Sequence, residues 1–167
     1  MGLFTGAKDK ADANATKAWG FREVKWGSVC NMGAHGGWKY TSSGYTPESN
    51  FAWWGSVNLA QAGDQRIVFE IQDTKLKTYD KSGKLLNEGT FLFDREQPED
   101  LVQGRLTTNI PVIGSSYDDL GQSKGKNNVF WILTLTDEYI TLYHPQKYTG
   151  GGDWDDYGWY VYYESKE

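Results

Sequence analysis

Asn128-Val129-Phe130-Trp131-Ile132-Leu133-Thr134-Leu135-Thr136-Asp137-Glu138-Tyr139-Ile140-Thr141-Leu142-Tyr143-His144 is the stretch that decides the fold of this chain. Val129, Trp131, Leu133 and Leu135 recur at every second position, Asp137-Glu138 marks a turn, and Ile140 and Leu142 resume the same period. Side chains alternate across an extended strand, so a period of two predicts strands, and a short polar turn between two such runs predicts an antiparallel hairpin. The expected inner face carries Val129, Trp131, Leu133 and Leu135, met by Ile140 and Leu142 from the partner strand.

The same period spreads outward in both directions. Ile67, Phe69 and Ile71 alternate in one run, Leu76, Thr78 and Asp80 line the next, and Lys81-Ser82-Gly83-Lys84 supplies a hairpin turn before Gly89–Asp94, where Phe91 and Phe93 face inward. A short strand is expected around Gly104 to Pro111. The chain closes with Tyr157 to Glu164, where Trp159, Val161 and Tyr163 alternate with Tyr160 and Tyr162. Trp19 and Phe21 alternate in a first strand from Trp19 to Trp26. No run supports a long helix or a strand-helix-strand unit, so the expectation is an all-β, antiparallel β-sandwich or lipocalin-like β-barrel with long aromatic-rich loops.

Length fits one domain. Residues 1–16 are small and polar and read as a linker or the cut end of a larger precursor, and residues 17–167 as a single all-β domain. From Gly27 to Gly55 the chain is rich in Gly, Ser and Asn with interspersed aromatics; a connection of that length is read as an ordered functional flap.

A net charge of −5 and a pI near 5.1 oppose a nucleic-acid partner, which needs a clustered basic surface. No stretch approaches the roughly 20 apolar residues of a spanning helix, and none reads as a signal peptide, so this segment is not expected to insert in a membrane. The single cysteine, Cys30, excludes an intrachain disulfide and a cysteine-based zinc site.

Eight tryptophans are more than a small core readily takes, because each buried indole needs a partner for its N–H. Strand alternation assigns Trp131, Trp159 and Trp19 to the core. Trp38, Trp53, Trp54 and Trp154 fall in Gly-rich and Asp-rich segments and are the candidate sugar platform: flat apolar faces suit the C–H faces of sugar rings. Asn50, Asp153 and Asp155 are the candidates for bonding the hydroxyls, since charge-assisted hydrogen bonds orient a ligand strongly. Asp153, Asp155 and Asp156 are also weak candidates for calcium, which favours clustered carboxylates and backbone carbonyls, though the run lacks EF-hand spacing. No other cofactor is expected.

A glycosidase needs two facing carboxylates, and Glu70, Asp118, Asp119, Asp153, Asp155 and Asp156 supply carboxylates without a spacing that pairs them. His35 and His144 have no neighbouring His or Cys, and there is no nucleophile elbow, phosphate loop or dinucleotide fingerprint. The reading is therefore a non-enzymatic carbohydrate binder, monomeric as an isolated module. A lipocalin-like binder of a small apolar ligand and a glycoside hydrolase or lyase are the alternatives.

The order of landmarks carries a resemblance. Lys17-Ala18-Trp19, Gly33-Ala34-His35-Gly36-Gly37, Trp53-Trp54, Ile67-Val68-Phe69, Gly89-Thr90-Phe91, Leu133 through Leu142 and Gly158-Trp159-Tyr160-Val161-Tyr162-Tyr163 together resemble the C-terminal glycan-binding or lipocalin-like module of Bacteroidetes-type surface lipoproteins, often found behind PKD-type spacer domains. The resemblance spans residues 17 to 164. It implies glycan capture in polysaccharide utilisation and a cell-surface or extracellular location; the lipidated N-terminal Cys and the spacer domains of such proteins are not in this sequence.

Overall fold

A computed structural model describes residues 2–9, 12–24, 28–32, 54–95, 102–114, 129–145 and 158–166. Ten strands dominate it: β1 (Thr16–Phe21), β2 (Val29–Met32), β3 (Trp54–Val57), β4 (Arg66–Glu70), β5 (Lys75–Tyr79), β6 (Leu85–Asp94), β7 (Gly104–Thr108), β8 (Val129–Leu135), β9 (Tyr139–Pro145) and β10 (Gly158–Ser165). The helices α1 (Gly2–Thr5) and α2 (Leu59–Ala62) have four residues each. All strand pairs are antiparallel, and β1 bonds both β4 and β10, so β1 and β4 to β10 close into an eight-stranded barrel. Between the two architectures left open by the sequence, the structure is the barrel.

The reason lies in β10, whose one edge is shared by two strands. Phe21 of β1 opposes Tyr163, and Val29 of β2 opposes Val161, so two steps along β10 are matched by eight along the other chain. Both sides of the step are bonded, Arg22 N–H to Tyr162 O and Tyr162 N–H to Ser28 O, each at 3.0 Å. The ladder on β10 thus passes from Arg22 directly to Ser28. The expected strand from Trp19 to Trp26 therefore ends at Phe21, and β2 and β3 arise inside what the sequence presented as one long loop.

An eight-stranded ring is just wide enough for side chains to fill. Each barrel strand contributes, and Trp19, Phe21, Ile67, Phe69, Leu76, Phe91, Leu106, Phe130, Ile132, Ile140, Leu142, Val161 and Tyr163 form one buried cluster. Phe4 of α1 enters from one end. Its ring centroid lies 5.0 Å from Phe69, 6.2 Å from Phe91 and 5.5 Å from Phe93, and its carbonyl accepts the Trp19 indole N–H at 2.9 Å. Residues 2–5, read from sequence as part of a linker, thus close the barrel. Two apolar residues, Leu3 and Phe4, are too short a signal to mark them.

The deciding hairpin forms, but its inner face differs from the expectation. Phe130 and Ile132 point into the barrel, whereas Trp131 and Leu133 belong to a second cluster on the outer face and Val129 is exposed. A bulge between Ile132 and Thr134 shifts the register, so Leu135 returns to the interior cluster. A bulge adds one residue to one strand and exchanges the faces beyond it, which periodicity alone does not show. Trp131 is consequently not a barrel-core residue: it is half-buried outside, with the Arg105 guanidinium 5.8 Å from its ring. Trp19 is core as expected, and the Trp159 side chain lies outside the described residues.

Phe4→Ala is expected to destabilise the protein by about 3–5 kcal/mol, the cost of emptying a fully buried phenylalanine site. The urea midpoint measures it. A loss below about 1 kcal/mol would show α1 to be a dispensable appendage.

Candidate functional site

The upper parts of β9 and β10 run past the closed ring. There β2 pairs with β10 through Val29–Val161 to Met32–Gly158, and β3 pairs with β2, giving a four-stranded extension in the order β9-β10-β2-β3. At its end Met32, Gly158 and Pro145 are direct neighbours. One residue in from that end, Trp54, Asn31, Trp159 and His144 occupy a single register row across all four strands. Strands lie roughly 4.8 Å apart, so the row puts the Trp54 and Trp159 backbones roughly 10 Å from each other.

This rim is where the candidate residues attach. The segment 33–53 leaves from Met32 and re-enters at Trp54, and the segment 146–157 leaves from Pro145 and re-enters at Gly158. Trp38, Trp53, Asn50, Trp154, Asp153, Asp155 and Asp156 lie outside the described residues, as do His35, Asp118 and Asp119. Trp54 is placed by its backbone at the start of β3. Topology thus brings the two segments that carry the candidates to one end of the molecule. Strand register, which requires knowing that β2 pairs with β10, puts the backbones of Trp159 and His144 in the row of Trp54.

Of the candidate carboxylates, Glu70 alone lies among the described residues, and it is not at this rim. Glu70 ends β4 at the opposite end of the barrel from Pro145 and Gly158. It accepts from Lys77 Nζ at 2.7 Å, a bond that raises the Lys77 amine above the usual lysine range. Among the described residues no group of three His, Cys, Asp or Glu side chains is arranged to hold a metal ion, and the calcium candidates fall outside them. No helix of the described residues is long and apolar enough to cross a membrane.

Two features make the rim a firm base. Residues 109–114 fold across the ring: Thr108 Oγ1 donates to Ile110 O at 2.7 Å, Val112 and Ile113 are buried, and the Tyr163 hydroxyl donates to Ile113 O. Gly114 ends that segment at a φ of 91°, and a Cβ there would meet Val161 at 2.9 Å and Phe21 at 3.0 Å, so glycine is required by both conformation and space. On the outer face, Tyr143 and Tyr160 pack with centroids 5.0 Å apart beside Leu133, Tyr162 and Val102. The Arg22 guanidinium lies 4.1 Å from the Tyr139 ring and donates to Thr141 Oγ1 at 3.2 Å. β10 is therefore buried on both faces, Val161 and Tyr163 inward, Tyr160 and Tyr162 outward.

No family model and no curated protein matches this sequence.

Burial pushes the Tyr163 hydroxyl well above the ordinary tyrosine range. The unfolded chain releases this proton near pH 10 and the folded chain keeps it, so its contribution is whole below about pH 10 and declines as pH rises from there towards the raised folded value. Tyr163→Phe is expected to lose about 1 kcal/mol at neutral pH through the unpaired Ile113 carbonyl. The gap between wild type and variant should then narrow between about pH 9 and about pH 11, as followed by urea unfolding. A gap independent of pH would refute the assignment.

Proposed function

We propose that the protein is a non-catalytic carbohydrate-binding barrel that captures a polysaccharide or oligosaccharide at the rim of its four-stranded extension. The observation that carries this reading is the convergence of chain ends: Met32, Trp54, Pro145 and Gly158 lie together, so the segments bearing Trp38, Trp53, Asn50, Trp154, Asp153 and Asp155 leave from and return to one place. Trp54 is the member anchored on a strand, and binding residues held on regular elements are positioned more firmly than those on loops.

The packing of the interior favours a surface site over an enclosed one. Trp19, Ile67, Phe69, Leu76, Phe130, Ile132 and Tyr163 have 0% exposure, so no space large enough for a water molecule lies against them. A lipocalin-like barrel that encloses an apolar ligand keeps such space in its centre. The separation of Glu70 from the rim is in keeping with binding rather than glycoside cleavage. Glycan capture, action as a monomer and a cell-surface or extracellular setting form one consistent proposal with the resemblance described above.

Calorimetric titration of the protein and of Trp54→Ala against a panel of soluble polysaccharides tests the reading. Loss of an anchoring tryptophan is expected to weaken binding roughly tenfold or more while the circular dichroism spectrum is retained. Equal affinity of the two proteins, or no binding to any member of the panel, would overturn it. Repeating the titration with chelator shows whether calcium at Asp153, Asp155 and Asp156 takes part.

A further inference from the structure

The opposite end of the barrel holds an open cleft of about 1020 Å³, walled by α1, the ends of β6 and β7 and the turn between β8 and β9. That is ample for a small organic molecule, since ligand pockets commonly run from about 300 to 1,000 Å³. Its floor includes Lys17, which alternation on β1 places on the same face as Trp19 and Phe21. Lys17 is only 6% exposed. Its ammonium lies 4.7 Å from the Trp19 ring centroid and donates to the Asp137 backbone carbonyl at 2.5 Å.

A buried ammonium is normally matched by a carboxylate, because desolvation of an unmatched charge is costly. Lys17 has a carbonyl and a ring face instead, and two of its three N–H donors have no oxygen acceptor among the described residues. Lys8 and Arg95 line the same cleft, and neither has an ion-pair or hydrogen-bond partner among the described residues. Asp137 and Glu138 also line it; like Lys8 and Arg95 they are exposed and screened by water, and the two exposed cations and two exposed carboxylates carry no net charge. The fixed charge of the cleft is therefore the Lys17 cation. Leu3, Phe93 and Leu135 add apolar wall.

We propose that this cleft is a second binding site, independent of the glycan reading, for a small organic anion: a carboxylate head neutralised by Lys17 and Arg95 with an apolar body against Leu3, Phe93 and Leu135. An inorganic anion satisfies the cations and leaves the apolar wall wet. A neutral amphiphile does the reverse. Both halves of the cleft are used only when the two are joined.

The test is a ¹H–¹⁵N NMR titration of the full chain with hexanoate, its neutral isostere hexanamide, and sulfate. The Trp19 indole N–H, resolved from the other tryptophans, reports beside Lys17. Hexanoate is expected to shift that peak and the backbone amides of Lys8, Lys17 and Gln103, with hexanamide and sulfate each about tenfold weaker. Lys17→Met should weaken hexanoate binding about tenfold and leave hexanamide unchanged. Because Lys17 is buried, exposed Arg95 provides a second variant: Arg95→Gln should weaken hexanoate severalfold without disturbing the fold. Absence of shifts with hexanoate, equal binding of hexanoate and either control, or wild-type affinity in Arg95→Gln would each overturn the proposal.

Discussion

The indole of Trp19 makes two demands at once, an apolar cage for its rings and an acceptor for its N–H, and the barrel is arranged around meeting both. The cage comes from neighbouring strands of the closed ring, and the acceptor is the Phe4 carbonyl. That bond draws α1 across the end of the barrel and carries the Phe4 ring in among Phe69, Phe91 and Phe93. Tilted and edge-on ring contacts of this kind add to simple area burial. One side chain thereby ties the first strand, the N-terminal turn and the far wall of the ring into a single packing unit.

The consequence is a division of labour between the two ends. The α1 end is sealed, and its cleft lies between the plug and the strand ends. At the other end residues 109–114 cover the ring, and the extension made by β9, β10, β2 and β3 rises beyond it, so the proposed glycan contact would fall to strand ends and to the segments they carry. β10 links the two regions. It closes the ring with β1 along its C-terminal half and supports β2 along its N-terminal half, and its two buried faces leave little freedom for either to shift.

Much of this was legible in the sequence where burial is one-sided. Ile67 and Phe69, Leu76 and Thr78, Phe91, and Val161 and Tyr163 alternate as expected because one face of each strand meets the barrel interior. Legibility failed where two faces are buried or the register breaks. Phe130 through Leu133 are all apolar, so the period there is ambiguous, and the bulge after Ile132 decides which residues enter. Phe4 acts through a contact with Trp19 that no local pattern encodes. The candidate platform was drawn from residue type and loop composition, and strand register bears only on where its segments attach. The row of Trp54, Asn31, Trp159 and His144 depends on β2 pairing with β10, a contact between residues more than 100 positions apart. Lys17 gave no sequence signal at all, since a lysine among small polar residues reads as surface.

The step from β1 to β2 along β10 has an evolutionary meaning. Because the ladder on β10 passes from Arg22 to Ser28, the register of the ring and that of the extension are fixed on either side of this step. Loop closure entropy grows slowly, about 0.6 kcal/mol for each doubling of length. A change of length at this step is expected to leave the barrel intact, which makes it a natural place for related sequences to differ in length and for a foreign peptide to be grafted.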